Sequence, residues 1–103
     1  YLDDKIKRYI VDLVVATRDP ERYRLDMKNL IRAGASPRAS IYLAQAARVQ
    51  AFLAGRAFVI PEDVKRIALE ILRHRVSITY EAEAQEISTD QLVQQIIERV
   101  KVP

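Results

Sequence analysis

The stretch Gly34-Ala35-Ser36-Pro37-Arg38-Ala39-Ser40 decides how this chain is read, because it joins a helix start to a cation. Ser36 supplies a hydroxyl that caps free amides, and Pro37 suits a first helical position, where its missing N–H costs nothing. Helix formers then continue to Ala54, and Gly55 marks a stop. Ile41, Leu43, Ala47, Val49, Ala51, Phe52 and Leu53 make this segment apolar almost all round, which predicts a buried helix at the centre of a bundle. Arg38, Tyr42 and Gln45 form its one polar stripe, at the N-terminal end. Arg38 therefore sits on a first helical turn, where amides and the positive dipole end favour an anion and a guanidinium fork suits a phosphate. The residues alone leave open a plainer alternative, a surface Arg paired with Asp26 or another nearby acid.

Three further helices are expected around this one. From Asp3 to Thr17, Ile6, Ile10, Leu13 and Thr17 share a face with Tyr9 and Val14 beside it, while Lys5, Arg8 and Asp12 lie opposite. Asp19-Pro20 ends that helix. Glu62 to Arg73 places Val64, Ile67, Ala68 and Ile71 inward. Ser88-Thr89-Asp90-Gln91 has capping-box spacing ahead of Leu92, Val93, Ile96, Ile97 and Val100. Between Pro20 and Arg32 the charges recur every few residues, which predicts a connection with one helical turn, carrying Arg22, Arg24, Lys28 and Arg32. Phe58-Val59-Ile60 and Val76 to Tyr80 are β-like and are expected to pair as a ribbon. The predicted fold is all-α, a four-helix bundle with a short two-stranded β ribbon.

Composition narrows the function. The 103 residues make one domain, long enough for a core without staples, and the absence of Cys excludes disulfide scaffolds and thiolate zinc sites. No run approaches the length of a membrane span, and no signal peptide heads the chain, so a cytoplasmic location is expected. There is no initiator Met, which fits a piece of a longer protein. Twelve of the 17 cations are Arg, favouring bidentate phosphate or carboxylate contacts, whereas a net charge of +3 is too small to require nucleic acid.

The usual catalytic constellations are missing. With one His and no Cys, the chain has no G-x-S-x-G elbow, no H-E-x-x-H pair and no phosphate-cradling G-x-x-x-x-G-K-[ST] loop. Glu81, Glu83 and Glu86 read as a solvated charged loop rather than a magnesium or acid–base site. His74, flanked by Arg73 and Arg75, is disfavoured as a metal ligand and suits a helix C-terminus. No metal site is expected.

Residues 34–40 resemble the sensor 2 motif in the C-terminal helical lid of MoxR-family AAA+ ATPases. Tyr9 to Val14, Ala16-Thr17-Arg18, Gly55-Arg56, Pro61-Glu62-Asp63-Val64, Leu72 to Arg75 and Ile97 to Pro103 are similar to the same lid in the same order, so the resemblance covers residues 1–103 nearly throughout. It implies that Arg38 contacts the γ-phosphate of ATP as an electrostatic stabiliser, with Gly34, Ser36 and Pro37 shaping the turn that aims it. It also implies that the phosphate-binding loop and the magnesium acids lie in a preceding α/β domain, so that this segment alone does not hydrolyse ATP. The implied partners are that domain, neighbouring subunits of a hexameric ring and a client remodelled in a chaperone-like or metal-insertion reaction. Tyr9, Ile10 and Leu13 sit where a lid helix flanks adenine, although their spacing is that of a core. A small basic winged-helix DNA-binding module and a plain protein-interaction domain are the alternatives.

Overall fold

The computed structural model describes residues 2–27 and 29–103; Lys28 of the expected basic connection lies outside them. Helix α1 (Asp4–Arg18) begins where the Asp3 carboxylate accepts from the Lys5 amide at 2.7 Å. Its polar side is tied down by Tyr23, whose hydroxyl donates to Asp12 at 3.0 Å from a 3-10 turn at Pro20–Tyr23. Strand β1 (Ile31–Ala33) leads to α2 (Ala39–Leu53), and α3 (Pro61–Arg73) returns along α2. Strand β2 (Ser77–Ile78), the short α4 (Tyr80–Ala84) and α5 (Thr89–Arg99) complete the chain. Ile10, Leu13, Leu43, Val64, Leu72, Leu92 and Ile96 lie in one core between α1, α2, α3 and α5. Among the described residues no helix is long and apolar enough to cross a membrane.

The mainly helical architecture with a two-stranded antiparallel ribbon follows the sequence expectation, and three details correct it. The ribbon pairs β2 with Ile31–Ala33, not with Phe58-Val59-Ile60. The backbone near Phe58 is committed elsewhere: the Ile60 amide donates to the Asp63 carboxylate at 2.9 Å as the cap of α3, and Pro61 has no amide to offer a ladder. The other oxygen of Asp63 pairs with Arg56, fastening the loop after α2 to the same helix end. Because α2 and α3 separate the two strands in sequence, the ribbon is not the wing of a winged helix.

The second correction concerns α2. It buries only the four-spaced row Ala39, Leu43, Ala47 and Ala51, while Ile41 (59%), Val49 (57%), Phe52 (78%) and Leu53 (74%) stand in the open. Three alanines in that row let neighbouring backbones approach closely, so apart from Leu43 the small side chains face the core and the large ones face out. Gly55, at φ 79°, ends the helix with paired bonds: its amide reaches Phe52 O at 3.0 Å and the Arg56 amide reaches Ala51 O at 2.9 Å. Third, Glu81 and Glu83 lie on α4, a fifth helix that the sequence reading treats as loop. The Thr79 hydroxyl starts it by accepting from the Ala82 amide at 3.1 Å while donating to Asn29 O at 2.6 Å.

Candidate functional site

The Arg38 segment is built from the end of α1. Gly34 lies so close to that helix that a Cβ there would meet Thr17 O at 2.4 Å and Arg18 Cα at 2.7 Å, an approach only glycine permits. The next residue, Ala35, is fully buried, and its amide donates to Thr17 Oγ1 at 2.9 Å. Its carbonyl accepts from Arg18 Nη1 at 3.4 Å. Ser36 then sets the turn: its hydroxyl accepts from the Arg38 amide at 3.2 Å and its carbonyl from the Ala39 amide at 2.8 Å.

Arg38 itself is the N-cap of α2, at φ −61° and ψ −23°, so the helix begins at Ala39, two residues later than the Pro37 start expected from the sequence. Its side chain is exposed, and no described acid forms an ion pair with it. Asp26, the acid considered as its partner, instead lines a cleft against α5. The chain carries no Asp or Glu at all between Asp26 and Glu62, so Arg38 projects from a segment of uniformly positive sign. The local amides contribute less than expected, because Ala39, Ser40 and Ile41 donate to Ser36 O, Pro37 O and Arg38 O. An anion would therefore be met by the guanidinium and the dipole rather than by free N–H groups.

Beside this turn runs a mostly apolar groove of about 250 Å³ between α1 and α2, lined by Ile10, Val11, Ser40, Ile41, Ala44 and Arg48. Of the residues considered for an adenine contact, Tyr9 and Leu13 are core and only Ile10 reaches this groove. Tyr9 is 1% exposed, its hydroxyl lacks a described partner, and burial, helped by the charge of Glu62, pushes its pKa up to about 12. His74 is the C-cap residue of α3, and Arg75 next to it stacks over the Tyr42 ring at 4.5 Å.

The structure brings Gly34, Ser36, Pro37 and Arg38 into one turn, and adds Thr17 and Arg18, which the sequence reading places only as part of a helix end. A signal for Thr17 was present: it is a polar residue on the inward face of an amphipathic helix, where a hydroxyl requires a partner.

Comparison with known proteins gives a consistent result. The AAA lid domain family matches residues 24–96. Chaperone MoxR1 of Mycobacterium tuberculosis is 43% identical over 96 residues, covering 92% of this chain and 26% of that protein. Protein MoxR of Methylorubrum extorquens is 36% identical over 105 residues, covering 95% and 30%. The crystal structure of a protein from Cytophaga hutchinsonii, assigned as an ATPase, superposes with a TM-score of 0.94 at 42% identity, covering 99% of this chain and 31% of that one. The chain thus spans between a quarter and a third of the length of these relatives.

Proposed function

The chain belongs to the AAA lid domain family, with MoxR proteins among its relatives, and from that premise we propose that it is the nucleotide-sensing lid of a MoxR-type AAA+ ATPase. Arg38 supplies positive charge to the γ-phosphate of ATP, where phosphoryl transfer accumulates negative charge, and the turn of Gly34, Ser36 and Pro37 aims it. The observation that carries this reading is an exposed guanidinium without an acid partner, on a turn whose backbone a buried clamp holds, two residues ahead of Ser40 in the lining of an apolar groove. The groove has the polarity to take the flat ring of a nucleotide whose phosphates meet Arg38. Magnesium and the triphosphate tail would be held chiefly by a preceding AAA+ α/β domain, so residues 1–103 alone do not turn ATP over.

The outer face of α2 supports the rest of the assembly. A domain of this size does not leave Ile41, Val49, Phe52 and Leu53 in water without reason, and an adjoining AAA+ domain or ring neighbour would cover them. In this reading the protein works in the cytoplasm as a hexameric ring, and the lid couples ATP hydrolysis to chaperone-like remodelling of a client or to metal insertion.

The test is Arg38→Ala in the full-length protein. Turnover should fall by about tenfold or more, while thermal unfolding stays unchanged because an exposed Arg adds little stability. Unchanged turnover rejects the assignment. Mixing this variant with one disabled in its phosphate-binding loop tells whose nucleotide Arg38 serves. Recovery of activity in the mixed rings is expected, placing Arg38 on a neighbour's ATP, and no recovery places it on its own.

A further inference from the structure

Thr17 and Asp63 are the two polar or charged residues buried among the described residues. Asp63 is accounted for by the Arg56 pair and the α3 cap. Thr17 has no such duty within its own helix. Its hydroxyl donates to Val14 O at 2.6 Å, a back-bond that leaves the helix no better held and slightly strained. The consequence is that the hydroxyl proton is spent and a lone pair of the oxygen faces outward, where the Ala35 amide donates to it at 2.9 Å. Valine would fill the same volume and offer no acceptor.

The chain from Ala35 to Arg38 has little slack. Ala35 is held through its amide by Thr17 and through its carbonyl by Arg18, while Gly34 lies against the Thr17 and Arg18 backbone on the same side. Between Ala35 and Arg38 come only Ser36, whose hydroxyl and carbonyl both bind the turn, and Pro37, whose ring fixes one backbone angle. A displacement of the α1 end therefore passes to the Arg38 backbone with little loss. Ile10 and Val11, which line the groove from α1, move with the same helix.

We propose that Thr17 is a positioning residue for Arg38: its hydroxyl ties the start of the Arg38 turn to the last turn of α1, so that the guanidinium and the groove wall keep one relative geometry as the lid moves. The inference rests on the reading of Arg38 as the residue that meets the γ-phosphate. It assigns Thr17 no contact with the nucleotide.

The experiment is steady-state ATP hydrolysis by the full-length protein carrying Thr17→Val, Thr17→Ser, Arg38→Ala and the Thr17→Val/Arg38→Ala pair. Thr17→Val is expected to lower kcat about 5- to 20-fold with KM for ATP within about twofold, since misplacement of a stabilising charge costs rate more than binding. Thr17→Ser, which keeps the acceptor, restores most of the rate. In the Arg38→Ala background Thr17→Val lowers kcat by no more than about twofold, because there is no guanidinium left to misplace. An equal loss in both backgrounds, or a rate within twofold of the parent for Thr17→Val while Arg38→Ala is impaired, overturns this inference alone. A silent Arg38→Ala overturns it together with the sensor reading. If Thr17→Val does not fold, Thr17→Ala decides, since it also removes the acceptor for the Ala35 amide. It should lower kcat about fivefold or more with KM within about twofold, and a rate within twofold of the parent overturns the proposal.

Discussion

Gly34→Ala probes the contact on which the site is built. The added Cβ would lie 2.4 Å from Thr17 O, 2.6 Å from Thr17 C and 2.7 Å from Arg18 Cα, all inside the 3.0 Å that Cβ atoms keep from non-bonded heavy atoms. All three are backbone atoms in the last turn of a helix, so no side chain can swing aside. Relief requires the strand to back away from α1, and that stretches the bond from the Ala35 amide to Thr17 Oγ1, now 2.9 Å. Overpacking of this kind costs about 1–3 kcal/mol. Leaving the buried Ala35 amide without its acceptor adds about 1–3 kcal/mol. The two together amount to about 2–6 kcal/mol, a large part of a total that for small domains is about 5–15 kcal/mol. Urea unfolding followed by circular dichroism measures this directly, with the midpoint falling at an unchanged slope. A companion Thr17→Ala/Gly34→Ala double variant should be no more stable than Gly34→Ala, because the obstruction is main chain. A loss under about 1 kcal/mol for Gly34→Ala, or rescue by the Thr17 truncation, would refute the packing argument.

Two further outcomes are expected. Phe52→Ala should change unfolding free energy in the 103-residue chain by less than about 1 kcal/mol, because the side chain is 78% exposed, and a loss of 3 kcal/mol or more, about what a core Phe gives, would contradict the fold. Tyr9, whose folded pKa is about 12 against the ordinary 10.0, holds its proton more tightly in the folded state, so stability is fully present below pH 10 and declines as pH rises toward 12. Tyr9→Phe should flatten that decline in alkaline unfolding curves and leave neutral-pH stability intact or improved, as its hydroxyl has no described partner; an unaltered alkaline slope would count against the burial.

The four longer helices were legible in the sequence because each announces itself locally. Ser88 and Gln91 exchange their capping bonds at 3.1 and 2.8 Å, as their spacing requires, and Leu92, Val93, Ile96, Ile97 and Val100 are all buried. The ribbon partner was not legible for the opposite reason. Ile31-Arg32-Ala33 has neither the length nor the alternation of a strand, and it pairs only because Gly34 and Ala35 press the following residues onto α1 and Thr79 holds Asn29 and Leu30 by long-range bonds. Phe58-Val59-Ile60 has strand composition, yet a cap four residues wide at Ile60–Asp63 removes it from any ladder. Side-chain propensity is a weak guide when the backbone donors are already committed.

The misreading of α2 is the more instructive one for function. Apolar composition all round predicts burial all round only if the surface available to bury it belongs to the same chain. In this domain α3 and α1 cover a single row of three alanines and Leu43, and the other large side chains remain outside. On the reading proposed above, the excess of hydrophobicity marks a contact that residues 1–103 do not complete. The site shows the converse. Arg38 and its turn could be picked out from the residues, but what holds them could not, since the Thr17–Ala35 bond joins positions 18 apart and leaves no local pattern. The polar residue on the apolar face of α1 and the outward apolar face of α2 have one physical origin: each is a side chain placed for a partner outside its own helix. In the first case that partner is Ala35, at the start of the turn that carries Arg38. In the second, on the reading proposed above, it is the rest of the ATPase, so α2 would join the nucleotide-facing end of the lid to the surface through which the lid is moved.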